Sequence, residues 1–167
     1  MLRAARGRGV QYKFSFTGLE KNYRIFRLAS IKMPRVDRRA LHLNRYAREL
    51  DCQVVTNSKD FVLLNSDVGA FMKLTDKKFD VIWLDLCAGI SEEVLGLVHI
   101  ASRIFNPGLS VFAINVQAAR EACDIGQDRQ QFLRAACLEG LGVDWIAASI
   151  SQYRDTVPML QAIFVRK

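Results

Sequence analysis

Apolar and polar residues alternate along this chain in two periods, and the periods switch repeatedly. Tyr12, Phe14 and Phe16 alternate with Lys13 and Ser15, a period of two that predicts a strand over Val10–Leu19. Asn22 to Ser30 reads as a short helix, and Pro34 separates it from a longer one. In Val36–Leu50 the apolar positions Val36, Ala40, Leu43, Ala47 and Leu50 form one helical stripe. Two short apolar runs follow, Cys52–Thr56 and Phe61–Leu64. The polar tract between them suits either a hairpin turn or an approach loop. A turn bearing Asp67 then leads into a short helix over Ala70–Leu74.

The C-terminal half is clearer. Phe79 to Leu84 is a buried-type strand that ends on Asp85 and the small-residue turn Leu86-Cys-Ala-Gly89. Ser91 is a good helix N-cap, with Glu92 and Glu93 in a first turn where the helix dipole favours acids. That helix runs to about Phe105 and stops at Asn106-Pro-Gly108. Leu109–Val116 is apolar enough for a strand buried on both faces. Asp128–Leu141 is a helix closed by Gly140 and Gly142, and Val143–Ile150 and Met159–Val165 are strands. Strands alternating with helices predict an α/β fold, a mostly parallel Rossmann-like sheet with helices on both faces. The last two strands are too closely connected for a parallel crossover, so they should form an antiparallel hairpin. The 167 residues suit a single domain spanning 1–167.

Composition narrows the function. No apolar run approaches ~18 residues, so no membrane span is expected. Cys52, Cys87, Cys123 and Cys137 lack CxxC spacing and only His42 and His99 accompany them, which argues against zinc and for free thiols in a reducing, cytoplasmic compartment. The Arg-rich, acid-free start Met1–Gly9 leaves a mitochondrial address as the alternative. A P-loop GxxxxGK[ST] is not present. Charge is uneven: residues 1–50 carry a net +10 and residues 51–167 a net −3. Such asymmetry points to a polyanion surface near the N-terminus. Arg35, Arg38, Arg39, Arg45 and Arg48 lie mostly off the apolar stripe of their helix and are the candidate nucleic-acid contacts. Tyr23, Phe26 and Tyr46, interleaved with them, read as core positions.

In an open α/β sheet, ligands gather beyond the carboxyl ends of strands. Asp85 occupies such a position, and catalytic work falls to it first. A parallel sheet closed by an antiparallel hairpin resembles the class I, Rossmann-like S-adenosylmethionine-dependent methyltransferases. Phe14-Ser-Phe-Thr-Gly-Leu-Glu20 is similar to that family's second strand, Leu63-Leu-Asn-Ser-Asp67 to its third, Phe79-Asp-Val-Ile-Trp-Leu-Asp85 to its fourth and Asn106-Pro-Gly-Leu-Ser-Val-Phe112 to the start of its fifth. The resemblance implies S-adenosylmethionine as cofactor, with Glu20 on the ribose hydroxyls, Asp67 on the adenine amino group and Asp85 lining the cofactor crevice nearest the methyl acceptor. It also implies a departure. The family's first strand and glycine-rich loop should precede Glu20, where only 19 residues stand, so both are missing or reduced. An alternative register makes Val10–Thr17 the first strand, Cys52–Thr56 the second and Asp60 its acid. The tetrad Asp85-Leu-Cys-Ala88 is not the Asp/Asn-Pro-Pro-aromatic sequence of amino-group DNA methyltransferases. Cys87 reads as a small buried thiol and His99 as a packing residue. The expected function is a methyltransferase-like protein acting on nucleic acid. The alternative is a catalytically inactive subunit that keeps the fold for binding or assembly, with a protein partner or a second copy supplying the absent strand.

Overall fold

The computed structural model describes residues 16–19, 21, 24, 27, 54–58, 61–64, 66–118, 128–154 and 156–167. The chain divides into two compact units, Met1–Phe71 and Met72–Lys167.

In the N-terminal unit three strands form one sheet in the order β1-β3-β2, with β1 at Phe16–Leu19, β2 at Val54–Ser58 and β3 at Phe61–Leu64. β1 pairs with β3 in parallel, Phe16 opposite Phe61 and Leu19 opposite Leu64. β2 pairs with β3 antiparallel, with a bulge between Thr56 and Ser58. The two runs around Asn57–Asp60 are therefore a hairpin and not a loop approach. This pairing does not suit the alternative register. A strand–helix–strand unit would set β1 and β2 parallel, whereas β2 runs against β3, the strand parallel to β1. Arg24 and Arg27 are helical, in keeping with a helix after β1. The expected helix over Val36–Leu50 lies outside the described residues.

The helix α1 (Val68–Leu74) starts two residues ahead of the expected position. The C-terminal unit then forms a four-stranded mixed sheet in the order β4-β5-β7-β6. Its strands are β4 (Val81–Asp85), β5 (Val111–Gln117), β6 (Trp145–Arg154) and β7 (Pro158–Arg166). β4 and β5 are parallel, whereas β7 is antiparallel to both β5 and β6. The C-terminal hairpin is present, and its strands are longer than their apolar cores because polar residues extend β6 through Arg154.

Two helices of this unit pack against each other. α2 (Glu92–Ser102) begins at Ser91, whose hydroxyl accepts from the Val94 N–H at 3.3 Å, and buries Val94, Val98 and Ala101 at spacings of four and three. α3 (Arg129–Leu141) begins at Asp128, whose carboxylate accepts from Gln130 N–H at 3.0 Å, and buries Leu133, Cys137 and Leu141. α3 packs on α2, β6 and β7. Gly142 caps α3 at φ 105° and ψ 177°, a backbone conformation that costs any residue with a Cβ. Gly140 does not close the helix but lies inside it.

Phe112, Ile114, Val116, Leu160, Ala162 and Phe164 are fully buried and form the inner face of β5 and β7. Phe105 meets Phe112 edge-on, 6.3 Å between centroids, and Trp145 at 4.7 Å, which ties the α2–β5 turn to β6. Burying each such side chain contributes about 1.5–3 kcal/mol. Leu109, expected inside the strand, is 80% exposed in the turn before it. Among the described residues, no helix is long and apolar enough to cross a membrane.

Candidate functional site

β4 alternates strictly. Ile82 and Leu84 are buried, while Val81, Trp83 and Asp85 lie on the opposite face and are exposed. Asp85 is the last residue of the strand. The backbone beyond it continues to follow β5: Leu86 N–H donates to Asn115 O at 3.0 Å, and Gln117 N–H donates to Ala88 O at 2.8 Å. The turn after β4 is thus fixed at both ends, and the Asp85 carboxylate stands on a defined backbone.

Strand register places Asp85 opposite Asn115, and Asn115 opposite Gln161. Their side chains form a hydrogen-bonded row across three strands. Asn115 Nδ2 donates to Asp85 Oδ1 at 3.2 Å, and Gln161 Nε2 donates to Asn115 Oδ1 at 3.0 Å. Asn115 is only 4% exposed. Burying an amide costs free energy unless it is hydrogen-bonded, and here both ends of the group are satisfied. Neither amide is singled out from sequence, although each interrupts an apolar run, Val111–Val116 and Met159–Val165, and that is the available signal.

Asp67, in the N-terminal unit, has a different setting. Its Oδ1 accepts from the N–H groups of Gly69 (2.9 Å) and Ala70 (3.1 Å), capping α1, and its Oδ2 pairs with Lys21 Nζ at 3.3 Å. The Ala70 N–H bond, helped by Lys21 and opposed by partial burial, holds its pKa below the ordinary carboxylate value. Glu20, and the arginines Arg35, Arg38, Arg39, Arg45 and Arg48, lie outside the described residues, as do Tyr23, Phe26 and Tyr46.

Two expectations are corrected. Cys87 is exposed, because it sits in the turn just past β4 and not in the strand. His99 is also exposed, off the Val94–Val98–Ala101 stripe, with Nε2 at 2.9 Å from Arg103 Nη2 one turn on. Of the two described cysteines Cys137 is the buried one, and desolvation pushes its pKa up to about 12. Among the described residues, no cluster of His, Cys, Asp and Glu could hold a metal ion.

No protein-family model matches the sequence, and no curated protein matches it. Solved structures do. The yhhF protein of Escherichia coli, whose assignment as a methyltransferase is itself provisional, aligns over 93% of this chain and 66% of its own, at 8% identity and TM-score 0.52. A 16S rRNA (adenine(1408)-N(1))-methyltransferase from Catenulisporales acidiphilia, solved with its cosubstrate S-adenosylmethionine, aligns over 90% and 72% at 13% identity and TM-score 0.50. The fibrillarin pre-rRNA processing protein of Methanococcus jannaschii aligns over 92% and 57% at 15% identity and TM-score 0.50. The chain thus spans a little over half to about seven-tenths of the length of these proteins. At such identities the likeness speaks for architecture alone, and the architecture shared is a Rossmann-like α/β fold.

Proposed function

We propose that this chain binds S-adenosylmethionine and belongs to a methyl-transfer system whose acceptor is a nucleic acid. The observation that carries the reading is Asp85: an exposed carboxylate at the carboxyl end of a parallel strand, held from behind by Asn115. Methyl transfer leaves little covalent chemistry to the protein and depends on holding the acceptor in line with the sulfonium methyl. A fixed carboxylate suits that task by orienting a donor group and favouring positive charge nearby. Asp85 is the catalytic candidate; Glu20, Asp67 and Asp85 are the cofactor-binding candidates. The basic N-terminal region, with Arg35, Arg38, Arg39, Arg45 and Arg48, supports a nucleic-acid acceptor, as does the likeness in fold to proteins described as acting on rRNA.

A second reading has its own support. Both oxygens of Asp67 are already engaged, one capping α1 and the other paired with Lys21. Oδ1 already accepts two bonds, so an adenine amino group would have to share Oδ2 with Lys21. A fold retained for binding or assembly, without catalysis, accommodates that arrangement directly.

Calorimetric titration with S-adenosylhomocysteine separates the two. Saturable binding that weakens in both Asp85→Asn and Asp67→Asn supports the cofactor site. Asparagine is chosen at 67 because it still caps a helix. Absence of binding at millimolar ligand would leave the assembly reading.

A further inference from the structure

We propose that Asn115 and Gln161 are positioning residues that set the orientation of the Asp85 carboxylate, so that one of its oxygens is presented as a hydrogen-bond acceptor to a ligand above it. The proposal rests on the reading of Asp85 as a ligand-binding group.

The direction of the row follows from chemistry. An ionised carboxylate only accepts hydrogen bonds. Asn115, 3.2 Å from Asp85 Oδ1, must therefore turn its NH2 toward β4. Its carbonyl oxygen then faces β7, and Gln161, 3.0 Å away, must answer with its own NH2. One charge at the end of the row thus dictates the orientation of two amides on neighbouring strands. Asp85 Oδ1 is engaged by Asn115, and Oδ2 is the oxygen offered to a ligand. A ligand atom meeting Oδ2 must carry hydrogen, as an amine or hydroxyl does and a carbonyl does not. Asn115 donates to Asp85, and its burial keeps water from competing for that bond.

Reversal of the row gives the test. Gln161→Glu puts a second pure acceptor opposite Asn115 Oδ1, so the single variant should lose thermal stability. Asp85→Asn in that background lets every bond run the other way, with residue 85 donating to Asn115 and Asn115 donating to residue 161. The double variant should recover most of the lost stability, while S-adenosylhomocysteine binding stays weakened. In otherwise wild-type protein, Asn115→Leu should weaken S-adenosylhomocysteine about three- to tenfold, the scale of one hydrogen bond. The side-chain amide NMR signals of Asn115 and Gln161 should shift on adding that ligand, and should not shift in Asp85→Asn. Stability in the double variant no better than the sum of the singles overturns the row. So does unchanged ligand affinity in Asn115→Leu alongside weakened affinity in Asp85→Asn. Unchanged affinity in Asp85→Asn itself instead removes the reading of Asp85, and the positioning role with it.

Discussion

A Cβ placed on Gly140 would lie 3.2 Å from Val98 Cγ1, tighter than side chains ordinarily pack. Glycine inside a helix gives up about 1 kcal/mol of propensity relative to alanine. Here it lets α3 close on α2, whose Val98 is fully buried and cannot retreat. Gly140→Val is expected to lower stability by about 1–3 kcal/mol through overpacking. Denaturant unfolding measures this, and a variant as stable as the parent would mean that the helices are spaced by something else.

Gly142 makes the complementary case, since nothing stands within 4 Å of its missing Cβ and the constraint is the backbone alone. Its φ of 105° with ψ of 177° lies where residues other than glycine are strained. Gly142→Ala should cost about 1–3 kcal/mol without altering packing. Unchanged stability would indicate that the turn relaxes to a negative φ.

The thiols should react in a set order. Cys87 is exposed, whereas Cys137 is buried with its pKa raised to about 12, so almost none of it is thiolate near neutrality. Iodoacetamide followed by peptide mass spectrometry should modify Cys87 in the native protein and Cys137 only after denaturation. Equal labelling of both would contradict the burial of α3.

Acid should weaken the cap of α1. The carboxylate of Asp67 has a folded pKa below its unfolded value, chiefly through the Ala70 N–H. Its contribution is therefore present above the ordinary carboxylate value of about 3.9 and is lost as pH falls through the lower, folded one. In Asp67→Asn, which keeps the cap and drops the charge, stability should fall less steeply below about pH 4. An identical acid limb in parent and variant would show that this group does not contribute. With the side chain 48% exposed, solvent screening keeps the effect small.

Nucleic-acid binding, if carried by phosphate contacts, must weaken with salt. Each arginine that neutralises a phosphate adds roughly 0.7–0.9 to the slope of log affinity against log salt. Arg35→Ala, Arg38→Ala and Arg45→Ala should each flatten it by about that much. A slope near zero in the parent would remove these arginines from the interface.

The hydrophobic pattern carried the C-terminal unit far. The apolar run Phe79–Leu84, the Ser91 cap and the close spacing of the last two strands are local signals, and each corresponds to an observed element. What escaped is non-local. Asn115 meets Asp85 and Gln161 only through the register of three strands, and a sequence does not print its register. Gly140 looked like a helix stop because nothing in α3 itself announces that Val98 lies against it. Cys87 and His99 were misread for a simpler reason: apolar neighbours in sequence are not neighbours in space one residue past a strand end or one step off a helical stripe.

The chain has two tryptophans, and the sheet separates them. Trp145 is 6% exposed beneath the helices, whereas Trp83 is 64% exposed, two residues before Asp85 on the same face of β4. The protein therefore carries an intrinsic optical probe. Its red-edge emission should come from Trp83 and be quenched by iodide, while the blue component from Trp145 should resist. A molecule that settles over the Asp85 end of the sheet would shield the first indole and leave the second unchanged, so occupancy can be followed without a label.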